Sequence, residues 1–104
     1  LIVTSGGTGL SKRDITPETL IEVCRELGGR EIPGVGELLR QDGATHNRNA
    51  WLSRSTAILV RDTLIVCLPG NPTAVTEGLT ANGGLIRHAL HVGSGGTHEP
   101  GRRS

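Results

Sequence analysis

Twice in this chain a run of aliphatic residues ends at a glycine loop and gives way to a helical pattern. The first junction, residues 1–27, begins "LIVTSGGTGLSKRDITPETL"; the second, residues 63–80, begins "TLIVCLPGNPTAVTEGL". Strand–loop–helix units with apolar strands indicate an α/β fold with a mostly parallel sheet. In such sheets ligands bind beyond the carboxyl ends of the strands, where loops lead into helix N-termini. Both junctions would lie there.

The composition suits that architecture. The 104 residues are enough for one small domain. Apolar residues make up 35%, with no Phe, Tyr or Met and one Trp, Trp51. A core without large aromatics is built from aliphatics, as in strands buried on both faces. A net charge of +1, with no basic run, argues against nucleic acid or an anionic membrane as the main partner. No apolar run approaches the ~20 residues that span a bilayer. No basic segment precedes the apolar start, as a signal peptide would require. Cys24 and Cys67 sit inside apolar runs and read as buried, reduced thiols of a cytoplasmic protein. The chain does not open on Met, which leads us to expect a piece of a longer protein.

Along the chain, Leu1 to Thr4 reads as a short buried strand and Ser5 to Ile15 as a loop. A helix follows, with Thr16 as N-cap, Pro17 in the first helical position and Glu18 in the first turn. Leu20, Val23, Cys24 and Leu27 repeat at helical spacing, and Gly28–Gly29 end the helix. Val35 to Gln41 fits a short helix after the Pro33–Gly34 turn. "DGATHNRN" reads as loop and "AWLSRS" as a helical turn. "TAILV" and "TLIVCL" are strands separated by Arg61 and Asp62, a link short enough for a hairpin. Asn71 then caps a helix with Pro72 in its first position. "LIRHALHV" is a last helical or irregular segment. Residues 93–104, "GSGGTHEPGRRS", read as a disordered tail, which leaves a domain over residues 1–92.

Glycines in "TSGGTG" let successive backbone N–H groups approach an anion, and Ser5 and Thr8 add hydroxyls. The stretch fits neither a Walker loop nor a dinucleotide fingerprint. Counting from Gly6, Ser11 stands where the Walker loop needs Gly, and Arg13 where it needs Ser or Thr. Counting from Gly7, Lys12 stands where G-x-G-x-x-G needs its third Gly. On glycine content alone, cradle and plain turn stand even. Asp14 could hold a divalent metal bridging phosphate oxygens, with Lys12 and Arg13 meeting phosphate charge; a solvated loop looks the same. In "PGNP", Asn71 offers an amide for recognition or simply caps a helix. Ser53 and Arg54 of "LSRS" could meet an anion or form a polar helix face. His88 and His91 have no evident third ligand, and His46 and His98 carry no signal.

Taken together, "TSGGTGLSKRDITPE", "EIPGVGELLR" and "LSRSTAILVRDTLIVCLPGNPTAV" resemble, in order and spacing, the MogA/MoaB family of molybdenum-cofactor biosynthesis, over roughly residues 1 to 90. The resemblance implies a three-layer α/β/α fold that binds molybdopterin, a pterin dithiolene bearing a phosphate. It also implies transfer of AMP from ATP to that phosphate with Mg²⁺, and a homotrimer or larger homo-oligomer. Carried over by residue, Ser5, Gly6, Gly7, Thr8 and Gly9 would form the phosphate loop. Asp14 would be the catalytic and metal-binding acid. Pro69, Gly70, Asn71 and Pro72 would line the pterin side, and Ser53 falls in the family's S-R segment. Family domains begin upstream of the G-G-T-G strand, with a further strand, helix and acidic site. The resemblance therefore implies an N-terminally incomplete sheet, in which Leu1–Thr4 lacks neighbours. It also leaves open a binding module without chemistry, or an inactive fragment.

Overall fold

A computed structural model describes residues 1–93 and Gly95. The expected tail, residues 93–104, lies outside the described residues but for Gly93 and Gly95. The elements run β1 (Ile2–Ser5), α1 (Thr16–Glu26), β2 (Arg30–Glu31), α2 (Pro33–Ala44), a 3₁₀ helix (Arg48–Leu52), β3 (Ala57–Val60), β4 (Thr63–Leu68) and α3 (Pro72–Gly93). The four strands form one sheet in the order β1-β4-β3-β2.

The central strands explain the layering. Side chains alternate between the faces of a strand, and both faces here are apolar. Ala57, Leu64, Val66 and Leu68 point to one side and join Val35 of α2 and Ile86 of α3. Ile58, Val60 and Cys67 point to the other and meet Leu20 and Cys24 of α1. The result is α1, then the sheet, then α2 with α3, which is the three-layer α/β/α arrangement. Cys24 and Cys67 are buried and free, as expected. Cys67 Sγ accepts from Thr56 N at 3.2 Å, and burial pushes its thiol pKa up.

The expectation of a mostly parallel sheet needs correction. β1 and β4 pair in parallel, Ile2 opposite Ile65 through Ser5 opposite Leu68. The β3–β4 and β2–β3 pairs are antiparallel. For β3–β4 the reason is connection length, since a parallel neighbour needs a crossover of a dozen or more residues. Val60 pairs with Thr63, so Arg61 and Asp62 alone turn the chain, with Arg61 at φ +54°. Among the described residues β1 is one edge of the sheet, and its Ile2 and Val3 are largely exposed.

Helix ends follow local chemistry with small shifts. Thr16 is the first residue of α1 rather than its cap, because its N–H is drawn to Gly7 O at 3.1 Å. α2 runs longer than Val35–Gln41 at both ends. Asn71 does cap α3, its Oδ1 accepting from Thr73 N at 2.9 Å, with Pro72 first in the helix. α3 continues through "LIRHALHV" as one helix of 22 residues. Buried Asn82 ties it to α2 by donating to Asp42 Oδ2 at 3.2 Å.

Candidate functional site

Because β1 and β4 are parallel neighbours, the loops that leave them emerge side by side. Gly6 N donates to Leu68 O at 2.8 Å, which carries the pairing one step past β1. Gly6 and Gly7 then turn the chain at φ +91° and +71°, a region that residues with a Cβ rarely occupy. The two loops touch backbone to backbone: a Cβ on Gly70 would lie 3.3 Å from Gly6 Cα. A Cβ on Gly7 would collide with Thr16 Oγ1, so this loop is also pressed against the start of α1.

Two arginines hold the far side of the first loop. Arg54 N donates to Thr8 O at 2.8 Å, and its Nε donates to Gly9 O at 2.8 Å. Its remaining guanidinium nitrogens reach Asp14 O and, at 2.7 Å, Glu18 Oε2. The Arg54 hydrogen bond holds the exposed Glu18 carboxyl below its usual range. Arg40 Nη1 donates to Ser53 O at 3.1 Å and to Ser55 O at 2.8 Å, fixing the segment that carries Arg54. Ser53 Oγ lies 2.9 Å from Ser55 Oγ and 3.5 Å from the buried Thr8 Oγ1. Asp14 folds back over the loop, its Oδ2 accepting from Ser11 N at 3.0 Å. That carboxylate occupies space a Cβ on Gly9 would contest, at 2.8 Å.

These loops border a cleft of about 700 Å³. Of the residues expected from sequence, Gly6, Gly7, Thr8, Gly9, Asp14, Ser53, Pro69, Gly70 and Asn71 line it. Ser5 and Pro72 do not: Ser5 is spent in the strand pair with Leu68, and Pro72 opens α3 behind its cap. Lys12 and Arg13 are exposed and stand outside the lining, and Arg54 is committed to the loop. Among the described residues no Lys or Arg lines the cleft. The N-terminus of α3 borders the cleft at Asn71 and Thr73, and a helix start of this kind favours an anion.

Sequence reasoning missed the opposite wall. Asn47, Asn49 and His46, from the loop after α2, line the cleft, as do Thr73 and Glu77 of α3. Thr73 and Glu77 were within reach, because they lie four apart on the helix that Asn71 caps. Asn47 was not, since only its turn, with Oδ1 accepting from Asn49 N at 2.9 Å, places it. Among the described residues no three His, Cys, Asp or Glu side chains gather as a metal site. No described helix is long and apolar enough to cross a membrane.

Residues 1–88 match the family described as "Probable molybdopterin binding domain". The chain belongs to this family. Among relatives of the family domain, a molybdenum cofactor biosynthesis bifunctional protein of Synechococcus elongatus is 40% identical over 94% of the chain. A molybdopterin adenylyltransferase of Helicobacter pylori is 43% identical over 78% of it. The solved structure of the molybdopterin biosynthesis Mog protein of Mycobacterium ulcerans superposes with a TM-score of 0.80 and 38% identity over 88% of the chain. The chain spans 30% and 44% of the two relatives and 58% of the solved chain. The α/β fold and the assignment to molybdenum-cofactor biosynthesis expected from the motifs therefore stand.

Proposed function

We propose that the cleft binds molybdopterin by its phosphate and is the part of a molybdopterin adenylyltransferase that holds this group for reaction with ATP. The observation that carries the reading is the joined pair of glycine loops at the N-terminus of α3. Backbone amides and a helix end bind phosphate without a basic side chain. Relatives named molybdopterin adenylyltransferase support the choice of ligand.

In the reaction, a phosphate oxygen of molybdopterin bonds to the α-phosphorus of ATP, and the bond to the β-phosphate breaks to release pyrophosphate. Such a transfer needs positioned phosphates and neutralised charge more than covalent help. The amides of Gly7 to Gly9 hold and orient the phosphate, and Gly6, its N–H bound to Leu68 O, turns the chain into that loop. Thr8 and Ser53 supply hydroxyls at its edge, with Asn71 on the pterin side. Asp14 fits Mg²⁺, which takes one or two protein carboxylates and completes its shell with phosphates and water. Bound there, the ion would offset charge between the two phosphates. Residues 1–92 act as the binding domain, in a cytoplasmic homotrimer or larger homo-oligomer.

The test is molybdopterin-dependent pyrophosphate release from ATP, measured with molybdopterin binding. Asp14→Ala should keep binding and lose turnover roughly a hundredfold or more. Unchanged turnover would remove Asp14 from the chemistry. The second reading is a binding module without turnover. Stoichiometric binding with no pyrophosphate release would select it.

A further inference from the structure

We propose that Glu77 reads the donor edge of the pterin ring, its carboxylate accepting from the ring N3–H and the 2-amino group. The inference rests on the reading that the cleft takes molybdopterin, and it assigns the end of the cleft remote from the phosphate loops.

Thr73, Ala74 and Glu77 lie on one face of α3 and form one wall of the cleft. From the cap at Asn71 to Glu77 the helix rises about 9 Å. A phosphate at the helix start and a carboxylate one and a half turns deeper are thus held on the same rigid wall. Pro69, Ala74 and Ala50 make an apolar strip beside them, suited to a flat ring. Glu77 also faces a recess of about 40 Å³ that deepens the cleft between α2 and α3.

The carboxylate has weak company in the protein. His46 Nε2 stands 3.8 Å from Oε2, an ion-pair distance too long for a hydrogen bond, and the His46 side chain is 62% exposed. Arg40, the cation beside the recess, is turned to the Ser53 and Ser55 carbonyls. The Glu77 side chain is 35% exposed, so its oxygens keep acceptor capacity toward the cleft. A carboxylate in a cleft built for an anion repels the ligand unless it meets donors. The 2-amino-4-oxo edge of a pterin presents two parallel N–H groups, the pattern that pairs bidentately with a carboxylate. The Watson–Crick edge of adenine alternates donor and acceptor and does not.

The experiment compares 6-hydroxymethylpterin phosphate with its lumazine counterpart, in which a 2-oxo group replaces the 2-amino group. Both are titrated by ring fluorescence onto the 104-residue chain and onto Glu77→Gln, with circular dichroism confirming that the isosteric variant folds. The wild type should prefer the pterin by about ten- to a hundredfold. In Glu77→Gln the preference should collapse or invert, because an amide offers one acceptor and one donor and matches the lumazine edge. Equal weakening of both probes would show a structural role only and overturn the proposal. So would an unchanged preference. A wild type that binds both probes without preference defeats the Glu77 assignment alone. One that binds neither defeats the reading of the cleft as well.

Discussion

The two glycine loops do one job by different means. The loop after β4 is held by its own neighbours: Pro69 and Gly70 turn the chain, and Asn71 caps α3 two residues on. The loop after β1 is held from a distance. Arg54, forty and more residues away in sequence, gathers the Thr8, Gly9 and Asp14 carbonyls, and Thr16 blocks the space beside Gly7. A locally coded loop needs only its own helix for support. A braced loop needs the sheet and the Ser53–Ser55 segment for its support. The phosphate site depends on both, so its integrity reports on the whole domain.

The sharpest way to break the comparison is Gly7→Ala. At φ +71° with Thr16 Oγ1 in the way, the new methyl forces the loop to move, at a cost of roughly 2–3 kcal/mol. Phosphate-dependent molybdopterin binding should disappear, while Gly70→Ala, which meets Gly6 Cα at 3.3 Å, should weaken it less. Titration of both variants checks the order, and equal losses would mean that the two loops are equally strained.

Next comes the brace. Arg54→Ala leaves loop carbonyls without their donor and should destabilise the fold by about 2 kcal/mol. Urea unfolding measures that, and binding should fall with it. If stability drops while binding holds, the loop keeps its shape without the arginine. The smallest effect belongs to the locally coded side. Asn71→Ala removes one cap and should cost about 1 kcal/mol in the same unfolding experiment. A larger loss than that of Arg54→Ala would reverse the distinction between braced and local.

The same distinction marks what could be read in advance. Strand β4 is legible because five consecutive apolar residues, Leu64 to Leu68, leave no face for water. The cap at Asn71 is legible because a cap and Pro72 are adjacent in sequence. The role of Gly6 to Gly9 was even between cradle and turn until the downstream motifs were added. β2 could not be read: Arg30 and Glu31 are charged, exposed and extended only through pairing with β3. Nor could the fate of Arg54, which read as an anion ligand or a polar helix face and is a structural clamp, because nothing near it in sequence names its partners. Lys12 and Arg13 misled for the converse reason, since being adjacent to the loop in sequence does not turn them into the cleft. A mostly parallel sheet was over-extended from two junctions, since one pair is parallel and two are antiparallel, and the short Arg61–Asp62 link already allowed the reversal.

That reversal has a geometric consequence for the site. A strand running against β1 and β4 begins where they end. The lead-in to β3, Ser53 to Ser55, is thereby delivered to the same rim as the two glycine loops. Had β3 run parallel, its serines and its arginine would have stood at the opposite end of the sheet. The hairpin thus acts as an address: one reversed strand brings a third, non-glycine segment to a rim that parallel strands alone would furnish only with loops of their own.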